Sequence, residues 1–381
     1  MNISLSQRTL HFKKPARTSR GEYSEHGMIV ITITDEKSNR IGLGECAPLP
    51  DLSFDRDAYM KMSDVARLID NALKSDDYAE ALRPYPALLF ALESAMYDYQ
   101  QNPILYDTPF ARGEVGIPTN GLIWMGSYDE MFDQVKKKIL QGFRCIKLKI
   151  GRRPLESTMP DEGTSKSDGT MSAGGMTPED YWEEEMSVIR KIRSRFSPDT
   201  LQLRVDANGG LGFDRENNFS MALVKERLED LAGYGIHSIE QPIPALHGGS
   251  WKAMAELCET TPLPIALDEE LIGVNTLAEK QTLLDTIMPQ FIVVKPTLHG
   301  GISGTLEWIN EANKRGIGSW MTSALESNIG LRNVALLAAR VYGPGCVFPQ
   351  GLGTGLLYKD NIEMDMELRG CRLWRLEVET D

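Results

Sequence analysis

Along the first 47 residues, apolar and polar side chains alternate with the period of two expected of antiparallel strands that lay one face on a core. Met28-Ile29-Val30-Ile31-Thr32-Ile33-Thr34 predicts a strand, residues 35–40 a polar turn, and Ile41-Gly42-Leu43-Gly44-Glu45 the returning strand. Residues 16–21 are small and polar and predict a mobile loop. Gly44-Glu45-Cys46-Ala47-Pro48-Leu49-Pro50 predicts an exit from the sheet through a proline-bounded loop. The period then lengthens. Residues 57–82 place Met62, Val65, Leu68, Ile69 and Leu73 at helical spacing, and residues 87–99 repeat this with Leu88, Leu89, Leu92 and Met96. Together these predict an α+β unit over residues 1–112.

From residue 113 the rhythm becomes strand, helix, strand. Strands are predicted at 117–125, 145–151, 201–206, 237–240, 264–268, 291–295, 318–323 and 346–349. Helices are predicted at 128–141, from about 177, and at 217–232, 251–258, 276–284, 303–314 and 330–341. Eight strands joined by helical crossovers is the count of a parallel (β/α) barrel, here over residues 113–355. A doubly wound sheet is the rival. Gly351-Leu352-Gly353-Thr354-Gly355 follows the last strand but opens no helix, so it is a weak nucleotide signal.

Residues 152–176 interrupt this rhythm with a polar run rich in Gly, Ser and Thr, which reads as a flexible insertion. It is either a loop without a role or, because it follows a strand's C-terminal end, a cover over the barrel mouth. Thr177 and Pro178 then suit the cap and first turn of a helix. The alternating run Cys371-Arg372-Leu373-Trp374-Arg375-Leu376-Glu377-Val378 has no place inside a filled barrel. It predicts that residues 356–381 return to complete the first unit.

Composition narrows the partners. A formal charge of -13 over 381 residues argues against nucleic acid and anionic membrane surfaces, which need basic patches. Five scattered cysteines without CxxC spacing read as reduced thiols. No apolar run approaches a membrane span and residues 1–14 lack a leader's apolar stretch, so a cytoplasmic protein acting on a small molecule is expected. The pattern names no oligomeric partner.

The candidate chemistry sits at the strand ends. Cys145-Ile146-Lys147-Leu148-Lys149-Ile150-Gly151 puts two lysines on one face of a strand, where mutual repulsion and lost solvation are expected to depress their pKa values. Alone, this describes an edge strand with solvated lysines more readily than a site. The next three strands, however, end in Asp206, Glu240 and Asp268, and the sixth ends in Lys295. In a parallel barrel these ends share one rim, where three carboxylates need a cation. Oxygen-only ligation suits Mg²⁺, with Mn²⁺ possible, and the absence of His and Cys counts against zinc.

Lys147-x-Lys149, Asp206-Ala207-Asn208, Glu240-Gln241-Pro242, Asp268-Glu269 and Val294-Lys295-Pro296 resemble, in order, the motifs of the enolase superfamily, in its muconate-lactonizing subgroup. Gly42-Leu43-Gly44-Glu45-Cys46-Ala47-Pro48 and Ala91-Leu92-Glu93-Ser94-Ala95 resemble its capping domain. The resemblance spans nearly the whole chain and implies a (β/α)7β modified TIM barrel with an α+β capping domain. It also implies Asp206, Glu240 and Asp268 as metal ligands. Lys149 is then the base that takes a proton from a carbon beside a carboxylate, with Lys147 tuning it. Lys295, on the opposite rim, is a second acid–base or a stabilising cation. Arg204 and Asn208, which flank Asp206, and Ser323 are the candidate substrate contacts; ordinary strand-end hydrogen bonding is the alternative for Arg204 and Asn208.

Thr322-Ser323-Ala324-Leu325-Glu326-Ser327-Asn328-Ile329-Gly330 resembles the segment with which dehydratases of that subgroup hold a succinyl carboxylate, through backbone amides and small side chains. That implies dehydration of a succinyl-hydroxycyclohexadiene carboxylate (SHCHC) to o-succinylbenzoate in menaquinone synthesis. Racemisation of N-succinylamino acids uses a similar segment and stays open. Mandelate racemase chemistry is disfavoured, because no His stands at the seventh strand end. Dipeptide epimerisation is disfavoured because Pro349-Gln350-Gly351-Leu352-Gly353 lacks the Asp-x-Asp those enzymes carry. A catalytically dead binding barrel is the remote alternative, which the intact lysine and carboxylate set argues against. The insertion after Gly151 departs from the family pattern.

Overall fold

The computed structural model describes residues 2–17, 22–35, 37–59, 61–152, 176–246 and 248–376. Strands β1 (Asn2–Arg17), β2 (Glu22–Asp35) and β3 (Ser38–Cys46) form an antiparallel sheet in that order. Ala16 and Arg17, expected in a loop, belong to β1, while residues 18–21 of that loop lie outside the described residues. Ile29, Ile31 and Ile33 bury one face of the sheet against Leu88, Ala91, Leu92 and Ala95 of the helix Pro86–Gln100. The contact is close enough to demand glycine. A Cβ on Gly42 would lie 2.1 Å from the Ala95 carbonyl oxygen, and one on Gly44 would lie 1.8 Å from that of Ala91. The helix expected over 57–82 is divided into a short turn Arg56–Tyr59 and helices Met62–Leu73 and Tyr78–Leu82. Asp77 restarts it by accepting the Ala79 and Glu80 N–H groups, a cap that wins over continued helix.

The strand expected at 117–125 is shared between two sheets. Its first part is β4 (Ile117–Pro118) and its second is β5 (Gly121–Ile123). β5 starts a seven-stranded parallel sheet that runs on through β6 (Cys145–Lys149), β7 (Gln202–Asp206), β8 (Ser238–Glu240), β9 (Ile265–Leu267), β10 (Phe291–Val294) and β11 (Gly318–Met321). Helices Tyr128–Leu140, Pro178–Arg193, Met221–Gly233, Trp251–Thr260, Leu277–Ile287 and Gly301–Lys314 make the crossovers. Of the predicted insertion, only Arg152 and Met176 fall among the described residues.

The eighth strand expected at 346–349 does not form. Two bridges close the ring instead: Gln350 pairs with Thr119 and Gly351 with Thr322. Pro349 has no N–H for a ladder and its carbonyl accepts from Arg204, so the Met321 N–H is taken instead by the Gln350 side-chain Oε1 at 2.7 Å. The tail also departs from expectation. Residues near Tyr358 do pair with β1, the Lys13 N–H donating to the Leu357 carbonyl at 2.8 Å. β12 (Met366–Arg369) and β13 (Arg372–Arg375), however, pair with β4 rather than with the N-terminal sheet.

Two buried carboxylates dock the N-terminal unit on the barrel. Glu45 accepts the Ser327 and Gly330 N–H groups, both at 2.8 Å, at the start of the helix Asn328–Tyr342. Glu93 accepts the Ile302 N–H at 2.5 Å and the Ser303 N–H at 3.2 Å at the start of Gly301–Lys314. Unpaired helix-terminal N–H groups favour an acceptor there. Burial nevertheless pushes the Glu45 carboxyl up to about 7 from 4.5. Folding therefore takes up a proton at Glu45 between those pH values. The resulting cost to the folded state is absent below about pH 4.5 and complete above about pH 7, at about 3 kcal/mol. Glu45→Gln lacks that titration. Urea unfolding should show the variant's stability relative to wild type rising by that amount between the two pH values. A difference that does not change with pH would contradict a carboxyl raised by burial.

Candidate active site

β6 is a central strand, and all five of its residues are buried. Register then aligns the chemistry: Lys149 lies opposite Asp206 on β7, and Asp206 opposite Glu240 on β8. Glu240 pairs with Ala266, so Asp268 follows just past the end of β9, and Lys295 just past the end of β10. The Lys147 ammonium donates to Asp206 at 2.9 Å and to Glu240 at 2.9 Å. Lys149 donates to Asp206 at 2.6 Å and to the Asn208 Oδ1 at 2.7 Å, and Lys295 donates to Asp268. The three predicted lysines and three predicted carboxylates thus meet in one buried cluster.

The electrostatics differ from the sequence expectation for Lys147. Burial opposes its charge, but Asp206, Glu240 and Asp268 outweigh it, so its pKa is raised rather than depressed. Lys295 is likewise pushed up to about 12, the pull of Asp268 and Glu240 prevailing over burial. Asp206 is held below the usual carboxylate range: burial works against its charge, but Lys147, Lys149 and Lys295 prevail. Glu240 is raised by burial and by Asp206.

Among the described residues, no three His, Cys, Asp or Glu side chains already stand as a metal cage; lysine ammonium groups reach into the carboxylate set. The donor set nonetheless fits a hard cation. Asp268 Oδ1 is buried without a hydrogen-bond partner, and Asp206 and Asp268 raise the cost of ionising Glu240, a like-charge contact that a cation relieves.

A cleft of about 860 Å³, counting its open mouth, runs between the two units. Lys147, Lys149, Lys295 and Asn208 line it from the barrel, and Tyr23, Leu49 and Leu52 from the N-terminal unit. Of the expected substrate contacts, Asn208 and Ser323 reach this cleft. Asn208 has a left-handed φ of 42° and bridges Lys149 to Glu269, donating from Nδ2 to the Glu269 Oε1 at 2.8 Å. Ser323 donates to Glu326 at 2.6 Å and accepts from Thr354 at 2.7 Å. The Ala324 and Leu325 amides also turn inward, to Glu326 and to Ser323 Oγ, so they do not form an amide grip on a ligand.

Arg204 does not line the cleft. It points inward two residues before Asp206, toward the far end of the barrel, where it donates to the Pro349 carbonyl at 2.9 Å. Its guanidinium stacks 4.5 Å from Trp320 and 4.1 Å from Phe348. A position in the strand's inward row does not decide which layer of a filled barrel a long side chain enters. Sequence reasoning gave no role to Glu269 and Trp124, which line the cleft, or to Glu326. Glu326 carried one signal, an isolated acid in a run of small and apolar residues after a strand.

Residues 130–349 match the family described as Enolase C-terminal domain-like. The chain is also 35% identical to an o-succinylbenzoate synthase of Desulfotalea psychrophila, over 97% of its own length and 98% of that protein's. The chain belongs to the enolase superfamily. As an enolase superfamily enzyme it also resembles the L-Ala-D/L-Glu epimerase of Bacillus subtilis, at 25% identity over 89% of this chain and 84% of that one. The crystal structure of MenC from Desulfotalea psychrophila superposes with a TM-score of 0.72 at 32% identity, covering 98% of this chain and 99% of that one. A dipeptide epimerase from Enterococcus faecalis shares the fold, with a TM-score of 0.74 at 16% identity over 98% of this chain and 96% of its own. This superfamily is metal-dependent, which accords with the carboxylate cluster. No helix among the described residues is long and apolar enough to cross a membrane.

Proposed function

We propose that this enzyme dehydrates SHCHC to o-succinylbenzoate, the aromatising step in menaquinone synthesis, in the cytoplasm and without a nucleic-acid or membrane partner. The observation that carries this reading is a single cleft into which Lys149, Lys295 and the Ser323 loop all open. Full-length similarity to the synthase of Desulfotalea psychrophila supports it. Lys149, as the free amine, takes the proton from the ring carbon that bears the carboxylate. It then returns that proton to the departing hydroxyl on the same face, so water leaves and the ring becomes aromatic. Lys295 stays an ammonium and balances the charge that develops on the carboxylate. Asp206, Glu240 and Asp268 hold a divalent ion, Mg²⁺ or Mn²⁺, which when bound supplies positive charge beside that carboxylate. Asn208 keeps Lys149 aimed through its 2.7 Å hydrogen bond.

A second reading draws on the reach of both Lys149 and Lys295 into the cleft: with one base on each face, the site could racemise an N-succinylamino acid. Dipeptide epimerisation has less support, since Gly351 and Gly353 line the cleft where an acid is needed to meet the ammonium. The deciding measurement is conversion of SHCHC with Mg²⁺, its loss with EDTA and its recovery on Mg²⁺ addition, beside a succinylamino acid in D₂O. Fast dehydration with slow α-deuteration supports the synthase. Rapid deuteration with racemisation and no dehydration replaces it with the racemase.

A further inference from the structure

Glu326 is fully buried, lines no part of the cleft, and lies outside the lysine–metal cluster. Its Oε1 accepts the Thr297 hydroxyl at 2.5 Å, and its Oε2 accepts the Ser323 hydroxyl at 2.6 Å and the Ala324 N–H at 2.7 Å. Thr297 stands two residues beyond Lys295, in the turn after β10, and Ser323 and Ala324 lie in the loop after β11. One carboxylate therefore ties together two cleft walls, one carrying Lys295 and the other carrying Ser323.

Capping of the helix Asn328–Tyr342 does not account for it. The N-cap is Ser327, whose hydroxyl accepts the Ile329 N–H at 3.1 Å, and Glu45 takes the Ser327 and Gly330 amides. None of the hydrogen bonds to Glu326 comes from the body of that helix. Space is also reserved for it: a Cβ on Gly330 would lie 2.6 Å from the Glu326 Cβ. The Lys295 turn is fixed from its other side, where the Lys295 N–H donates to the His299 Nδ1 at 3.0 Å. The Thr297 hydroxyl thus gives the turn a side-chain hydrogen bond to the carboxylate that also holds the Ser323 loop.

We propose that Glu326 is a positioning residue that sets the distance between Lys295 and the Ser323 wall of the cleft. This rests on the cleft being the reaction site, as in the function proposed above. Such an arrangement is sensitive because small displacements of a positioned group are costly: about 1 Å can cost on the order of a hundredfold in rate.

The test uses Glu326→Ala, Glu326→Gln, Thr297→Val and the Glu326→Ala/Thr297→Val double variant, assayed with Mg²⁺ and SHCHC and checked for folding by thermal melting. Glu326→Ala is expected to lower kcat/KM by about tenfold to a hundredfold. Glu326→Gln keeps one acceptor and can donate to the Thr297 oxygen, so it should recover activity to within about threefold of wild type. Thr297→Val is expected to lower kcat with KM nearly unchanged, and to add nothing in the Glu326→Ala background, because both act through one link. Wild-type kcat/KM in Glu326→Ala, or effects that simply multiply, would overturn the proposal. If Glu326→Ala does not fold, Thr297→Val decides alone, and an unchanged kcat there counts against it. If wild type racemises succinylamino acids instead of dehydrating SHCHC, the functional reading falls and the same variants are read in that reaction. A crystal structure of Glu326→Ala tests the link without any assay: Thr297 and Ser323 left in their wild-type positions would refute it.

Discussion

Lys149→Ala should abolish turnover, by at least about a thousandfold, while the protein still binds Mg²⁺. Lys149 is the lysine of the strand that touches both Asp206 and Asn208, so its position is fixed from two sides at the cleft surface. Lys147 is more enclosed and is held charged between Asp206 and Glu240, which leaves it no capacity to take a proton. The metal readout makes the variant informative. Lys149 competes for the carboxylate of Asp206 at 2.6 Å, and removing that contact frees the carboxylate, so divalent-ion binding should be at least as tight as in wild type. Activity that survives the substitution sinks the mechanism. Turnover and metal affinity lost together would move Lys149 from chemistry to structure.

Glu240→Ala is the second large effect expected: Mg²⁺ affinity by calorimetry should fall at least about a hundredfold, and activity with it. Asp206 is a poorer choice for the same question, because both Lys147 and Lys149 donate to it and its removal leaves Lys149 without a carboxylate partner. After loss of Glu240, Lys147 still has Asp206 at 2.9 Å, so the fold should persist and the affinity can be measured. Unchanged Mg²⁺ affinity in that folded variant would refute Glu240 as a ligand.

The row of strand ends was legible because it needs only two regularities, the strand period and the shared rim of a parallel barrel. Lys149, Asp206 and Glu240 fall directly opposite one another, as strands that each end on a charge require. What escaped depended on partners distant in sequence. The ring is closed at Gln350 and Gly351, not by a strand over 346–349, because the Pro349 carbonyl is engaged by Arg204 and the Gln350 side chain accepts the Met321 N–H in its place. The raised Lys147 reflects how closely Asp206 and Glu240 approach it, both at 2.9 Å, a distance that strand-end positions alone do not give. Arg204 shares the inward row with Asp206 yet lodges among Trp320 and Phe348, since alternation fixes a side but not a depth. The division of residues 56–82 followed from a polar cap at Asp77, a local competition that helical periodicity alone does not register.

The cleft draws its lysines from the barrel, while Leu49 and Leu52 of its apolar wall come from the N-terminal unit. Reactivity and part of the selectivity are thereby inherited through separate stretches of chain. A change at Leu49 or Leu52 alters the shape that fits without moving a proton-handling group, and a change of strand-end lysine alters the reaction without reshaping that wall. New substrates can therefore be sampled on an unchanged chemical engine, as long as Glu45 and Glu93 keep the two halves in register.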